Sequence, residues 1–198
     1  MSVLHFDEAT HAYTLEGRRL PSVTQIIEPI RVDYSFVDRA TLEFKRAFGV
    51  AVHKAVELDD MGELDDTCLD EAVAARVAAY RKFKAETGAV ILAGEQKMHH
   101  PLGFAGTLDL HAFLPNVADE NWIVDVKTAD TSHPSYGVQT AGYALLLQAA
   151  GEPITDLRRG SLHLFSDGTY RLAEYKAAAD FSAFLGCLSI HQWKESNK

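Results

Sequence analysis

Cysteine is scarce. Cys68 and Cys187 are the only thiols in 198 residues. That is too few for a disulfide framework, a four-cysteine zinc site or an iron–sulfur cluster, and two reduced thiols in a cytoplasmic protein are expected instead. Long apolar runs are missing too. The densest cluster, Tyr143–Leu147, is far too short to span a bilayer, so no membrane partner is expected. The opening Met1-Ser2-Val3-Leu4-His5-Phe6-Asp7 has neither the basic start nor the apolar stretch of a signal peptide. There is no Gly-x4-Gly-Lys-Ser/Thr phosphate loop, so the chain carries no ATP-driven motor of its own. Basic charge is in deficit, with 19 Lys and Arg against 28 Asp and Glu and a net charge of -9. Taken alone, that deficit argues against a nucleic-acid partner, because phosphate-binding surfaces carry excess cations.

What is present fits one soluble globular domain. Hydrophobic residues make up 47% and charged residues 24%, and a chain of 198 residues buries a core without staples. The domain divides into an N-terminal hairpin and helices (1–88), a sheet core (89–175) and a C-terminal helix (176–198). Leu4 and Phe6, a polar turn Asp7–Thr10, and Ala12, Tyr13 and Leu15 predict the hairpin, followed by a turn at Glu16-Gly17-Arg18. Ser22-Val23-Thr24-Gln25 has the form of a capping box opening a short helix that ends near Pro29. Ser35 with Asp38 predicts a longer helix running past Gly49 towards Leu58. Leu69, Val73, Val77, Tyr80 and Phe83 recur at helical spacing over about 68–87, with Gly88 as the stop. Strands are predicted at Ala89–Lys97, Phe104–Leu114 and Trp122–Thr128 and a helix at 135–150. Two further strands follow at Ser161–Phe165 and Tyr170–Glu174, then a helix with Phe181, Phe184, Leu185 and Leu188 on one face. The class is α/β, a central mixed sheet flanked by helices.

The chemistry concentrates in Gly106-Thr107-Leu108-Asp109 and Asp125-Val126-Lys127. Alternation along the Trp122–Thr128 strand puts Trp122, Val124 and Val126 on one face and Ile123, Asp125 and Lys127 on the other. Asp and Lys on an inner face need pairing or a bound cation. If the two strands are neighbours, Asp109 and Asp125 converge, and two carboxylates at one point suit magnesium or manganese. A lysine beside them suits a nucleophilic water or negative charge on phosphate. The same Asp-x-Lys triplet also occurs as an ion pair on a solvated edge strand. His53 sits on an apolar helix with Glu57 one turn on, where a core histidine and a solvated glutamate are equally ordinary.

The ordered set of pieces resembles the PD-(D/E)XK nuclease superfamily, in particular the RecB-type branch that includes phage exonucleases and the mitochondrial genome maintenance exonuclease. The pieces are Pro21-Ser22-Val23-Thr24, Gly49-Val50-Ala51-Val52-His53 with Glu57, Glu95, Gly106-Thr107-Leu108-Asp109, Asp125-Val126-Lys127-Thr128, and Gln139 with Tyr143. They cover about residues 11–150. The resemblance implies a restriction-endonuclease-like core. It also implies metal ligation by Asp109, Asp125, His53 and the Val126 carbonyl, catalysis by Lys127 together with Asp125, Asp109 and Glu95, and Mg2+ or Mn2+ as cofactor. Gln139 and Tyr143, on one helix face, would contact the nucleic acid or buttress Lys127, and Ser22, Thr24 and Thr128 would contact substrate. Ser22 is equally a helix cap. Members with a four-cysteine iron–sulfur cluster exist in that branch, and this chain departs from them.

The expected function is a metal-dependent DNA nuclease, an exonuclease or a single-strand- or flap-processing enzyme of repair, recombination or phage replication. DNA is its partner, with a recombination or single-strand-binding protein as a second one. The alternative is a non-cleaving nucleic-acid- or protein-binding module on a degenerate nuclease fold. The charge deficit is local. Glu57, Asp59, Asp60, Glu63, Asp65, Asp66, Asp70 and Glu71 share one stretch without Lys or Arg, and outside it 20 acidic residues face 19 basic ones. That stretch is expected to be a solvated turn facing away from a strand that runs along Arg18, Arg19 and Lys127.

Overall fold

Leu4–Asp7 (β1), Ala12–Leu15 (β2) and Arg18–Leu20 (β3) form an antiparallel sheet in the order β1-β2-β3. The computed structural model describes residues 3–153 and 156–198. The expected hairpin gains a third strand because the second turn is only Glu16-Gly17. Both residues sit at positive φ, 51° and 79°, as a two-residue primed turn requires, and this frees Arg18 to pair with Leu15.

The capping box forms as expected. Ser22 Oγ accepts the Gln25 N–H at 3.1 Å and Gln25 Oε1 accepts the Ser22 N–H at 2.9 Å, opening α1 (Val23–Ile26). A 3₁₀ turn at Glu28–Ile30 follows. Helix α2 runs Arg39–Met61, capped by Asp38 and closed by Gly62 at φ 72°. Ser35 lies outside it, with its N–H donated to Asp33. Helix α3 begins at Glu71 rather than 68, because Asp70 caps it and Asp66–Cys68 is a separate 3₁₀ turn. It ends at Thr87, before Gly88 at φ 67°.

The central sheet has the order β4-β5-β6-β7-β8, from Val90–His100 (β4), Phe104–Phe113 (β5), Asn121–Lys127 (β6), Leu157–Leu164 (β7) and Tyr170–Glu174 (β8). All pairs are antiparallel except β6–β7, which is parallel and joined across α4 (Ser135–Ala149). Strand β7 starts four residues before the expected Ser161. Its first turn-like residues, Arg158 and Arg159, hide the strand signal, but both charges are paired. Arg158 pairs with Glu120 and Glu174, and the buried Arg159 pairs with Asp180 at 3.0 Å.

One face of the sheet packs on α2 and α3 through Leu110, Ala112, Leu114, Trp122, Val124, Val126, Leu162 and Leu164. The other packs on α1, α4 and α5 (Ala179–Ser196) through Phe104, Leu108 and Ile123. On α5, Phe184 and Leu188 are buried as expected but Leu185 is exposed, and Cys187 takes its place on the packed face. The acidic stretch is not a simple solvated turn. Glu57–Met61 is the end of α2, where Asp59 and Asp60 are shielded and ion-paired to α3. No helix among the described residues is long and apolar enough to cross a membrane.

Candidate metal centre

The site forms where β5 leaves β6. Their ladder is in register from Phe113–Asn121 to Leu110–Val124. Beyond that pair the Val126 N–H is taken by the Asp109 carboxylate, Oδ2 accepting at 2.8 Å. A buried backbone donor needs a partner, so the departing strand is held to β6 by a side chain instead of a carbonyl. On β4, Glu95 occupies the left-handed region at φ 47°, between the registered pairs Gly94–Leu110 and Gln96–Leu108. Strict alternation fails at the same level. Leu108 packs on the α4 side, and Leu110 on the α2–α3 side. Asp109, between them, turns its carboxylate towards α2.

There it meets His53. The imidazole Nδ1 lies 3.6 Å from Glu95 Oε1 and 3.7 Å from Asp109 Oδ1, and Nε2 lies 3.1 Å from the Val126 carbonyl. Ligand atoms of His53, Glu95 and Asp109 all fall within 4.8 Å of one another. Nε2 donates its proton to the Val126 carbonyl and Nδ1 faces the carboxylates, the arrangement in which an outer hydrogen bond fixes a ligating histidine. The Val126 carbonyl thus orients His53. Glu57 does not reach the imidazole; it accepts from Lys54 at 2.7 Å.

Asp125 and Lys127 share the α4 face of β6, as alternation predicts. Asp125 is 1% exposed. Its Oδ2 lies 2.6 Å from the Lys127 ammonium, and its Oδ1 accepts from Gln139 Nε2 at 3.0 Å. Gln139 ties the group together: its Oε1 accepts from Lys127 at 3.3 Å, and its Nε2 also reaches the Tyr143 hydroxyl at 3.0 Å. Asp125 is not among the three residues whose ligand atoms converge, but it adjoins them: the next residue, Val126, gives its N–H to Asp109 and its carbonyl to His53.

Electrostatics favour a cation. Burial pushes the Asp109 carboxyl above its ordinary range, with His53 pulling down and Glu95 pushing up. Burial also raises Asp125, against the pull of Lys127. Burial alone would lower His53, but Asp109 and Glu95 outweigh it and raise its pKa to about 9. Burial likewise works to lower Lys127, and Asp125 and Asp109 hold it raised and charged. A carboxylate raised by burial and by a neighbouring acid, as Asp109 is, gains from a bound cation.

Gly106 is explained by packing. A Cβ there would stand 2.9 Å from Leu146 Cδ1, 3.1 Å from Val23 Cγ2 and 3.2 Å from Tyr143 Cε1, so β5 lies against α1 and α4 only as glycine. Thr107 Oγ1 meets the Tyr13 hydroxyl at 2.6 Å, fixing the N-terminal sheet to β5. Thr128 Oγ1 is 3.8 Å from where a Gly49 Cβ would stand, at the edge of the centre. Ser22 is buried, and its hydroxyl meets the Gln25 N–H and the Thr24 hydroxyl as the cap of α1.

Sequence reasoning missed two contributors. The Tyr136 ring lies 4.8 Å beneath the Lys127 ammonium, a cation–π contact. Its spacing of three and seven residues from Gln139 and Tyr143 was the available signal. The fully buried His163, beside Lys127 in β7, sets its Nδ1 2.7 Å from the Ala129 carbonyl and its Nε2 3.0 Å from Ser161 Oγ. It thereby pins the segment that follows Lys127. Nothing local in the sequence marked it.

No protein-family model and no curated protein matches the chain. Among solved structures, an alkaline exonuclease from Laribacter hongkongensis superposes with a TM-score of 0.41 at 14% identity, covering 89% of this chain and 91% of that one. SSO0001 gives a TM-score of 0.28 at 14% identity over 58% and 56%.

Proposed function

We propose that the chain is a metal-dependent nuclease hydrolysing phosphodiester bonds in DNA. The observation that carries this is two unlike groups meeting at β6: an imidazole–carboxylate cluster and, beside it, a shielded Asp125–Lys127 pair. His53, Glu95 and Asp109 would hold Mg2+ or Mn2+, since two carboxylates and one imidazole nitrogen suit either ion. A bound ion would supply charge for a phosphate oxygen and acidify a water. Asp125 and Gln139 fix the Lys127 ammonium, which orients the attacking water and meets the charge that grows on phosphorus-bound oxygen. Tyr136 lies against that ammonium, and Tyr143 holds the Gln139 that accepts from it. The partner is DNA; cleavage at a free end or on an unpaired strand is the form of activity we assign.

The test is cleavage of labelled single- and double-stranded DNA with Mg2+ or Mn2+, with chelator as control. Activity should vanish with chelator and fall by roughly a hundredfold or more in Lys127→Ala and Asp109→Asn. Absence of cleavage by the parent, or variants that cut as fast, would sink the proposal.

A further inference from the structure

The stretch before His53 carries side chains that the metal centre does not use. Tyr34, Phe36, Phe44 and Val50 stand in solvent, Phe36 at 81% exposure and Phe44 at 72%, and α2 buries its first residue only at Val52. Three exposed aromatics within eleven residues of chain offer apolar surface for a contact. Interleaved with them are Arg31, Lys45 and Arg46, all exposed and none in an ion pair among the described residues. The acids of the same stretch are occupied. Asp33 accepts the Ser35 N–H, Asp38 caps α2, and Glu43 pairs with Arg39. This arm, residues 31–50, carries four cations against three acids, a net charge of +1 on a chain whose net charge is -9.

The arm leads to the centre. Arg46 lies seven residues before His53, which puts it on the same side of α2 about 10 Å away.

We infer that residues 31–50 form a grip for an unpaired nucleic-acid strand, with bases stacked on Tyr34, Phe36 and Phe44 and phosphates along Arg31, Lys45 and Arg46. The inference rests on the nuclease function proposed above and names the form of its substrate. A duplex hides its base faces, so protruding aromatics gain nothing from it; an unpaired strand offers every base face and an anionic backbone together. The strand lies along α2 and delivers its phosphates to His53 and Lys127.

The experiment is fluorescence anisotropy of the full chain, with chelator present to prevent cutting. The probes are a labelled DNA strand of mixed sequence too short to fold, and the same sequence as a duplex. The parent should bind the single strand more tightly than the duplex. Phe36→Ala and Phe44→Ala should each weaken single-strand binding roughly tenfold and leave the duplex affinity in place. Arg46→Gln should lower the slope of log affinity against log salt by about 1. Trp193→Ala, on the exposed side of α5, should bind like the parent. All four side chains are exposed, so thermal unfolding of the variants should match the parent. The inference is overturned if the phenylalanine variants hold the single strand as the parent does, or if the duplex binds equally well. It is also overturned if the parent self-associates in sedimentation and Phe36→Ala makes it monomeric, because the arm is then an interface between copies. A parent that grips the strand but never cuts with Mn2+ leaves the grip standing and removes the nuclease; one that cuts while the arm variants bind normally does the reverse.

Discussion

The two halves of α2 are one helix in two opposite states. From Val52 to Met61 it is anchored: Val52, Ala55 and Val56 are buried, and Asp59 and Asp60 reach across to α3. Asp59 takes Arg81 at 2.6 Å and Lys84 at 2.8 Å, and Asp60 takes Lys84 at 2.7 Å and the Tyr80 hydroxyl at 2.6 Å. From Arg39 to Ala51 no residue is fully buried, and Lys45 and Arg46 have no acidic partner among the described residues. His53 lies at the seam. The lesson concerns charge counting. The acidic block is partly a clamp that occupies Arg81 and Lys84 of α3, while Lys45 and Arg46 before His53 have no acidic partner among the described residues.

The largest break in that comparison is at the seam. His53→Ala should reduce cleavage by at least about a hundredfold and weaken Mn2+ binding in calorimetry, while circular dichroism stays unchanged. Retention of activity within about tenfold would mean that the two halves meet at an ordinary histidine. Next in size is the clamp. Asp59→Asn should lower unfolding free energy by roughly 2 kcal/mol in urea titration, since it strips charged hydrogen bonds from two partly shielded cations. Cleavage at room temperature should hold. Glu63→Gln, which removes a turn acid with no ion pair among the described residues, should change stability by less than about 0.5 kcal/mol. Equal losses in the two variants would erase the distinction between clamp and turn.

The clamp should also sense pH. Burial works to raise Asp59, but Lys84 and Arg81 prevail and hold it below its ordinary value. A depressed folded pKa stabilises above the unfolded value, about 4, and that stability is lost as pH falls through the folded value. The parent's unfolding midpoint should therefore drop more steeply below about pH 4 than that of Asp59→Asn. Parallel curves would show that the pair contributes nothing. The smallest effect is dynamic. Amide exchange should be faster at Thr41–Phe48 than at Val52–Leu58, because the first half opens without breaking core contacts. Uniform protection along α2 would contradict its division.

Much of the fold was legible because local signals agreed with it. Ser22 with Gln25 made its capping box, Gly88 closed α3, and alternation sorted Trp122, Val124 and Val126 from Ile123, Asp125 and Lys127. The signal failed where distant partners decide. Arg158 and Arg159 read as loop until Glu120, Glu174 and Asp180 arrive from elsewhere to pair with them. Asp59 read as solvated because Arg81 and Lys84 are more than twenty residues away. For the candidate site, residue types and order pointed to Asp109, Asp125 and Lys127. The turn of Asp109 towards His53 on α2 depends on the ladder ending at Leu110–Val124, which no period in the sequence encodes.

Glu95, held at φ 47° in mid-strand, sets stability against chemistry. Such a backbone costs a non-glycine residue roughly 1 kcal/mol, and glycine there would escape that cost. An engineering campaign that selected variants by melting temperature alone would therefore favour Glu95→Gly, and each gain in heat resistance at that position would empty one corner of the carboxylate cluster. For this chain, thermostability screening needs an activity counter-screen from its first round.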